Sequence, residues 1–499
     1  MIEDILLALP LAIVVLGAIV LMLISHFPTV SLKKYNLIAV FFLVCAFILK
    51  LTQLDDSNHI YLFEPLFNKM FVIDTFSNLF DLLFLAGAIV TLLINTHYFQ
   101  ERDYYNGEFF SLLLFSVFGM MMLSHANELV TAFISLEIAS ISVYILVGYN
   151  KNSLKSSEAM LTYIVLGALS STFFILGTAL IYGVVGSTFI GDIYSFIQNN
   201  PTKEITMLIV ALMFIMVTIL FKIGAVPFHS WVIDVYQGAP YPITMFMAAT
   251  FKIAVFAIFL RLYLIDFTHF YDIFSKILQV VAVVTLIGGS WLAISQNNLK
   301  RMLAGSSIVH AGYLLIALSS IGLGAEFAAP AIVFYLMSYF LSAVGAFGIL
   351  SFIAAQRRRR ATFDDFKGFS QERPYLAAMM TIFMLSLAGF PSTIGFLAKF
   401  YIFLSAIESG QIFLAGLGIT VAFISIYYYF KLIALMYFYP TDEEPKKFPF
   451  GISSSVIFLM ALLTIWGGVG TGWIPFLPGV DTLVETAKEA INSISVKPY

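Results

Sequence analysis

Apolar runs of membrane-spanning length, parted by short polar breaks, recur from one end of the chain to the other. A helix crossing a bilayer needs roughly 20 predominantly apolar residues. Fourteen segments approach or exceed that length: 4–25, 36–54, 75–95, 107–124, 126–148, 157–184, 204–236, 243–265, 273–295, 301–323, 328–354, 375–408, 412–438 and 450–470. The pattern predicts an all-α polytopic membrane protein with about 14 transmembrane helices. The start, MIEDILLALP, has Glu3 and Asp4 where a signal peptide would be basic, so it reads as a retained first span.

Two segments, 204–236 and 375–408, are too long for one simple span, and each contains Gly and Pro: GAVPFHSW directly after Lys222, and AGFPSTIG before Lys399. Both are expected to be broken helices. Irregular backbone at membrane depth persists only where it lines a cavity or is buried in protein. Paired breaks at corresponding places mark the ion site of a transporter. The chain is therefore divided into three N-terminal spans (1–106), spans 4–8 (107–266), spans 9–13 (267–440), and a last span with a tail (441–499). The two five-helix units are expected to be inverted repeats, because an odd number of spans reverses the second copy. In the tail, Val480, Leu483, Val484, Ala487 and Ile491 recur at helical spacing among charges, predicting an amphipathic helix on the outer face.

Composition agrees: 60% of residues are hydrophobic and 11% charged. The single cysteine, Cys45, excludes an intrachain disulfide and a cysteine-ligated cluster. No glycine-rich phosphate loop is present, so any redox chemistry associated with the chain belongs to another chain. Fifteen of the 26 Lys and Arg fall in alternate loops, among them Lys33, Lys34, Lys300, Arg301 and Arg357 to Arg360, against six on the opposite side, including Arg261. By the positive-inside rule the fifteen are cytoplasmic and both termini lie outside. The RRRR run reads as a topology anchor, not a nucleic-acid site.

Five lysines remain, all within spans: Lys50, Lys222, Lys252, Lys399 and Lys431. Lys50 lies near the outer end of its span and is expected to snorkel to the interface; Lys431, two turns from the cytoplasmic end, either snorkels or does not. The other three are too deep for that. A lysine at the centre of a spanning helix costs about 2.5–3.5 kcal/mol, and packing alone does not repay three of them. A polar route through the membrane does.

Glu137, in span 5 among Ser135, Ser140 and Ser142, lies at the depth of Lys222 and is expected to pair with it. Glu158 opens span 6 as either a second proton-carrying acid or a carboxylate complementing the helix dipole. His229 follows the first break and is read as a relay. His310 in span 10 is either a relay or a core histidine. Asp81 in span 3 has no basic partner recognisable from the sequence.

The stretches SLEIASISVYILVGY, FKIGAVPFHSWVIDVYQGAP, ATFKIAVFAIFLRL, LKRMLAGSSIVHAGYLLIAL and LAGFPSTIGFLAKFY occur in the order found in the antiporter-like membrane subunits of respiratory complex I, which the chain resembles from span 3 to span 13. Within that family it resembles the branch without a long lateral helix and with lysine, not glutamate, at position 399. Ile233 departs from the family pattern, where proline often precedes the aspartate matching Asp234. The resemblance implies a fourteen-helix fold and proton translocation at mid-membrane. Glu137 and Lys222 would form the pair in helices 5 and 7, Lys252 the central relay, and Lys399 the outer exit.

It also implies that NADH, FMN, iron–sulfur clusters and quinone are bound by partner subunits, with no cofactor or metal in this chain. The implied partners are the other complex I membrane subunits, including neighbouring antiporter-like ones, within the bacterial cytoplasmic membrane. The same buried residues would serve a multisubunit sodium/proton antiporter.

Overall fold

The computed structural model describes residues 7–26, 30–55, 64–200, 205–357, 362–441, 451–470 and 479–494. Glu3, Asp4, Lys203, Arg358, Arg359, Arg360, Lys446, Lys447 and Lys497 lie outside them. The helices in chain order are α1 (Leu9–Ser25), α2 (Leu32–Asp55), α3 (Thr75–Ile94), α4 (Gly107–His125), α5 (Leu129–Val147), α6 (Leu154–Val185), α7a (Ile205–Ile223), α7b (Val232–Gly238), α8 (Tyr241–Ile265), α9 (Tyr271–Ile294), α10 (Leu299–Ser320), α11 (Ala328–Arg357), α12a (Pro374–Ala388), α12b (Ile394–Glu408), α13 (Ile412–Phe438), α14 (Ile452–Val469) and α15 (Val480–Ser493). Twelve are long and apolar enough to cross a membrane. The shorter α1 and α12a are apolar too, and with α12a and α12b taken as one broken span the expected fourteen are all present.

Besides the short helices Thr96–Gln100 and Phe369–Glu372, a hairpin and an amphipathic helix have no counterpart in the sequence reading. A short antiparallel hairpin, β1 (Glu64–Leu66) with β2 (Phe71–Ile73), precedes α3. The segment Ile190–Asn199 is an amphipathic helix that buries Ile190, Ile193 and Ile197.

The helix ends follow from local chemistry. Asp74 caps α3, its side chain accepting from Ser77 N while Ser77 Oγ accepts from Asp74 N. Asn298 caps α10 by accepting from the amides of Lys300 and Arg301. Helix α12a begins at Pro374, whose missing N–H costs nothing there, and ends at Gly389, where φ of +84° suits glycine.

Apolar helices in lipid gain little from hydrophobic transfer, so close packing holds them together. Small residues make this possible between α9 and α10, where Gly305 lies against the backbone of Ala293 and Gly289 against that of Val309. The bundle has a distinct centre. The most apolar stretches of α8 and α10 are wholly buried and that of α11 is 94% buried, against 39% for α6, α9, α13 and α14. Buried charges placed on α8 and α10 are therefore shielded from lipid by protein on all sides. The tail forms the expected amphipathic helix: α15 buries Ala487 and Ala490, packs on α3 and α11, and accepts from Phe76 N at Ser493 Oγ (2.9 Å).

Candidate functional site

Lys222, Lys252 and Lys399 are all buried, at 2%, 5% and 5% exposure, and each has a different kind of partner. Lys222 is the penultimate residue of α7a. The chain then leaves the helix through Gly224 and resumes at α7b, with Gly224 N and Trp231 Nε1 both donating to the Phe221 carbonyl (3.0 Å each). Lys222 Nζ donates to two hydroxyls of α5, Ser140 Oγ (2.8 Å) and Tyr144 Oη (2.7 Å). The expected pairing with Glu137 is not made in this structure. The half-buried Glu137 accepts instead from Ser171 Oγ of α6 (2.5 Å), and no ion pair joins it to Lys222 among the described residues. The physical reason is local: hydroxyls from the turns of α5 after Glu137 reach the ammonium, while α6 offers the carboxylate a donor of its own.

Lys252 comes directly after a π-helical turn, Met247–Phe251, inside α8. Such a turn inserts one extra residue into the helix and rotates the residues beyond it. Here Lys252 Nζ meets the carbonyl (2.8 Å) and hydroxyl (2.5 Å) of Ser307 on α10. One turn along α10, His310 Nδ1 lies 2.6 Å from Tyr335 Oη and its Nε2 lies 3.1 Å from Tyr429 Oη. Tyr429 also bonds Ser306.

Lys399 completes the series. It lies on α12b and reaches back to the end of α12a, donating to the carbonyls of Leu387 (2.8 Å) and Ala388 (2.9 Å). A helix C-terminus carries partial negative charge and unpartnered carbonyls, so the break itself supplies the counter-charge that the sequence lacks around Lys399. A cavity of about 10 Å³, lined by His310, Tyr335, Tyr339, Ser342, Ser386 and Lys399, adjoins the ammonium; that is about one water's worth of space. Polar groups thus run from Lys252 through Ser307 and His310 to Lys399.

The remaining candidates stand apart from this line. His229 lies between α7a and α7b, half-buried, with Nδ1 buried and lacking a hydrogen-bond partner among the described residues, and it bonds neither Lys222 nor Lys252. Glu158 is exposed on the second turn of α6. Lys431 Nζ lies 4.5 Å from the centre of the Phe363 ring.

Residues 126–425 match the family described as NADH:quinone oxidoreductase/Mrp antiporter, transmembrane. NADH-quinone oxidoreductase subunit N of Trichlorobacter lovleyi is 39% identical over 430 residues, 86% of each chain. The chain belongs to the subunit N family. A chain of respiratory complex I from Thermus thermophilus, solved with bound aureothin, superposes on this subunit N family member with a TM-score of 0.76 and 28% identity, covering 93% of this chain and 98% of that one. A chain of the Mrp complex from Dietzia sp. shares the fold at a TM-score of 0.84 and 19% identity, covering 99% and 98%.

Two buried ionic groups of this family member escaped the sequence reading. Lys50 does not snorkel: it is fully buried and pairs with Asp81 (2.9 Å), the acid for which no partner was expected. Arg261, counted as an outer charge, is 1% exposed and bidentate to Asp74 (2.8 and 3.0 Å). A signal was available. Lys50 lies near the C-terminal end of α2 and Asp81 at a similar distance from the start of the consecutive α3, so a comparison of depths pairs them.

Proposed function

We propose that this chain is a proton-translocating membrane subunit of a complex I assembly, driven by quinone reduction in partner subunits that hold NADH, FMN, iron–sulfur clusters and quinone. The observation that carries the reading is the buried run from Lys252 through Ser307 and His310 to Lys399, within a family whose relatives are named as NADH-quinone oxidoreductase subunits. Lys252 can pass a proton to the Ser307 hydroxyl, and Lys399 can pass one into the water-sized space beside it, without a large rearrangement.

In this reading Lys222 receives a proton from the cytoplasmic side, Lys252 relays it, and Lys399 releases it outward. Glu137 controls the first step. Swinging from Ser171 toward Lys222 it would hold the proton there, and swinging back it would free it. Glu137 is half-buried on this chain, so a neighbouring antiporter-like subunit can act on it directly. His229 and Glu158 serve at most as accessory carriers on the approach to Lys222. The two five-helix units are inverted repeats, both termini face outward, and α15 lies on the outer surface of the bacterial cytoplasmic membrane.

Purification of the native assembly in vesicles tests this. Copurification with iron–sulfur and quinone-reducing subunits, and NADH-driven proton uptake that continues without sodium, is the expected result. Sodium-dependent proton exchange without those subunits would replace the reading with a multisubunit cation/proton antiporter.

A further inference from the structure

Lys50, Asp81 and His125 form a buried cluster that the lysine series does not use. Their exposures are 0%, 0% and 2%. Lys50 Nζ lies 2.9 Å from Asp81 Oδ2, donates to Asn78 Oδ1 (2.8 Å) and lies 3.4 Å from His125 Nε2. His125 Nε2 is 2.7 Å from the same Asp81 oxygen, and His125 Nδ1 is 2.8 Å from the Val72 carbonyl. Ser124 Oγ, with one proton, faces both Asp81 Oδ1 (2.9 Å) and the Met121 carbonyl (2.8 Å). From α8, Arg261 donates to the Ser124 carbonyl (2.9 Å), its charge already matched by Asp74.

The hydrogen-bond roles fix how many protons the cluster holds. A backbone carbonyl only accepts, so Nδ1 of His125 carries a hydrogen. At 2.7 Å the Nε2–Asp81 contact also needs one, since two lone pairs would repel there. The cluster as found therefore holds one proton between His125 and Asp81 beyond those on Lys50. Removing it takes the three groups from a net charge of +1 to neutral. Such a site can load and unload.

Its surroundings offer a way out. A cavity of about 210 Å³ reaches His125, walled by Leu11, Leu66, Phe71, Phe118 and Met122 under the β1–β2 hairpin. Apolar walls admit water intermittently, as hydrophobic gates do.

We propose that Lys50, Asp81 and His125 are a second proton-holding site that exchanges its proton with the outer face through this cavity. The inference rests on the proton-carrying reading of the chain. The step is proton transfer alone: Nε2 of His125 gains and loses one proton, and no electron moves.

Infrared difference spectra of the intact complex in oriented vesicles, labelled at histidine, test it during a pH step on the outer side. The expected result is a histidine protonation signal that is lost in His125→Gln, with fewer protons moved per electron in that variant. The charge-neutral double variant Lys50→Met with Asp81→Asn should assemble and lose the same signal. Absence of any outer-side histidine signal in the unaltered complex, or its persistence in His125→Gln, overturns the proposal. A chain that carries no protons would instead reveal itself by an unchanged proton-to-electron ratio in Lys252→Met, so the two failures are separable.

Discussion

The two broken helices hold their lysines in opposite ways. Lys222 sits just before its break and donates to side-chain hydroxyls, Ser140 and Tyr144. Lys399 sits beyond its break and donates to backbone carbonyls, Leu387 and Ala388. A hydroxyl can turn and either give or take a proton, whereas a carbonyl only accepts. In the proposed route the first break would thus pass a proton through its partners. The second fixes an ammonium in place, and in the proposed route its proton would go elsewhere, into the small cavity shared with His310.

Substitutions at the two break glycines should separate these roles most strongly. In Gly389→Val a branched side chain meets φ of +84° and lies 2.8 Å from Lys399 Cδ; left-handed backbone alone costs about 1–2 kcal/mol. Gly224→Val meets φ of +76° and Val232, without touching Lys222. Both should lower the yield of assembled complex, but only Gly389→Val should also lower protons moved per electron in what assembles. Equal ratios in the two variants would erase the contrast.

A smaller effect is expected from Tyr144→Phe, which leaves Lys222 with Ser140. Loss of one hydrogen bond, about 1 kcal/mol, corresponds to a roughly fivefold slower proton-linked turnover if it falls on the transition state. An unaltered rate would show that Tyr144 merely fills space. Smaller again is Ser171→Ala, which frees Glu137 from its present partner. It should slow turnover alone and change nothing further in a Glu137→Gln background. Additive losses would mean that Ser171 acts on something other than Glu137.

The smallest effect concerns Asp266, in the turn after α8. Burial pushes its carboxyl well above the usual carboxylate range, and neither oxygen has a hydrogen-bond partner among the described residues. The folded chain keeps this proton at pH values where the unfolded chain, near 3.9, has lost it. Stability therefore falls as pH rises from the unfolded value toward the folded one. Asp266→Asn removes that loss, so its Tm should exceed the unaltered protein's by more at pH 8 than at pH 5.

The fourteen spans were legible because length and apolarity decide membrane crossing almost unaided. The breaks were legible because Gly224, Pro227, Gly389 and Pro391 interrupt apolar runs. That Lys222, Lys252 and Lys399 are buried followed from depth alone. Their partners did not, since a helix offers several hydroxyls or carbonyls at one depth and packing decides which one faces the ammonium. Glu137 illustrates this: depth matched it to Lys222, yet Ser171 of α6 holds it here. The π turn before Lys252 leaves no mark in the MAATF sequence. Lys50 and Arg261 were misread because nearness to a span end was taken for exposure, whereas α3 and α4 close over both.

The most direct test of the account is the number of protons moved per electron pair in vesicles bearing Lys399→Met, with assembly and quinone reduction measured on the same sample. Methionine keeps much of the stem's volume and removes the charge, so the complex should assemble. The account predicts a lower proton-to-electron ratio in that assembled complex. An undiminished ratio would contradict it and remove Lys399 from the proton route.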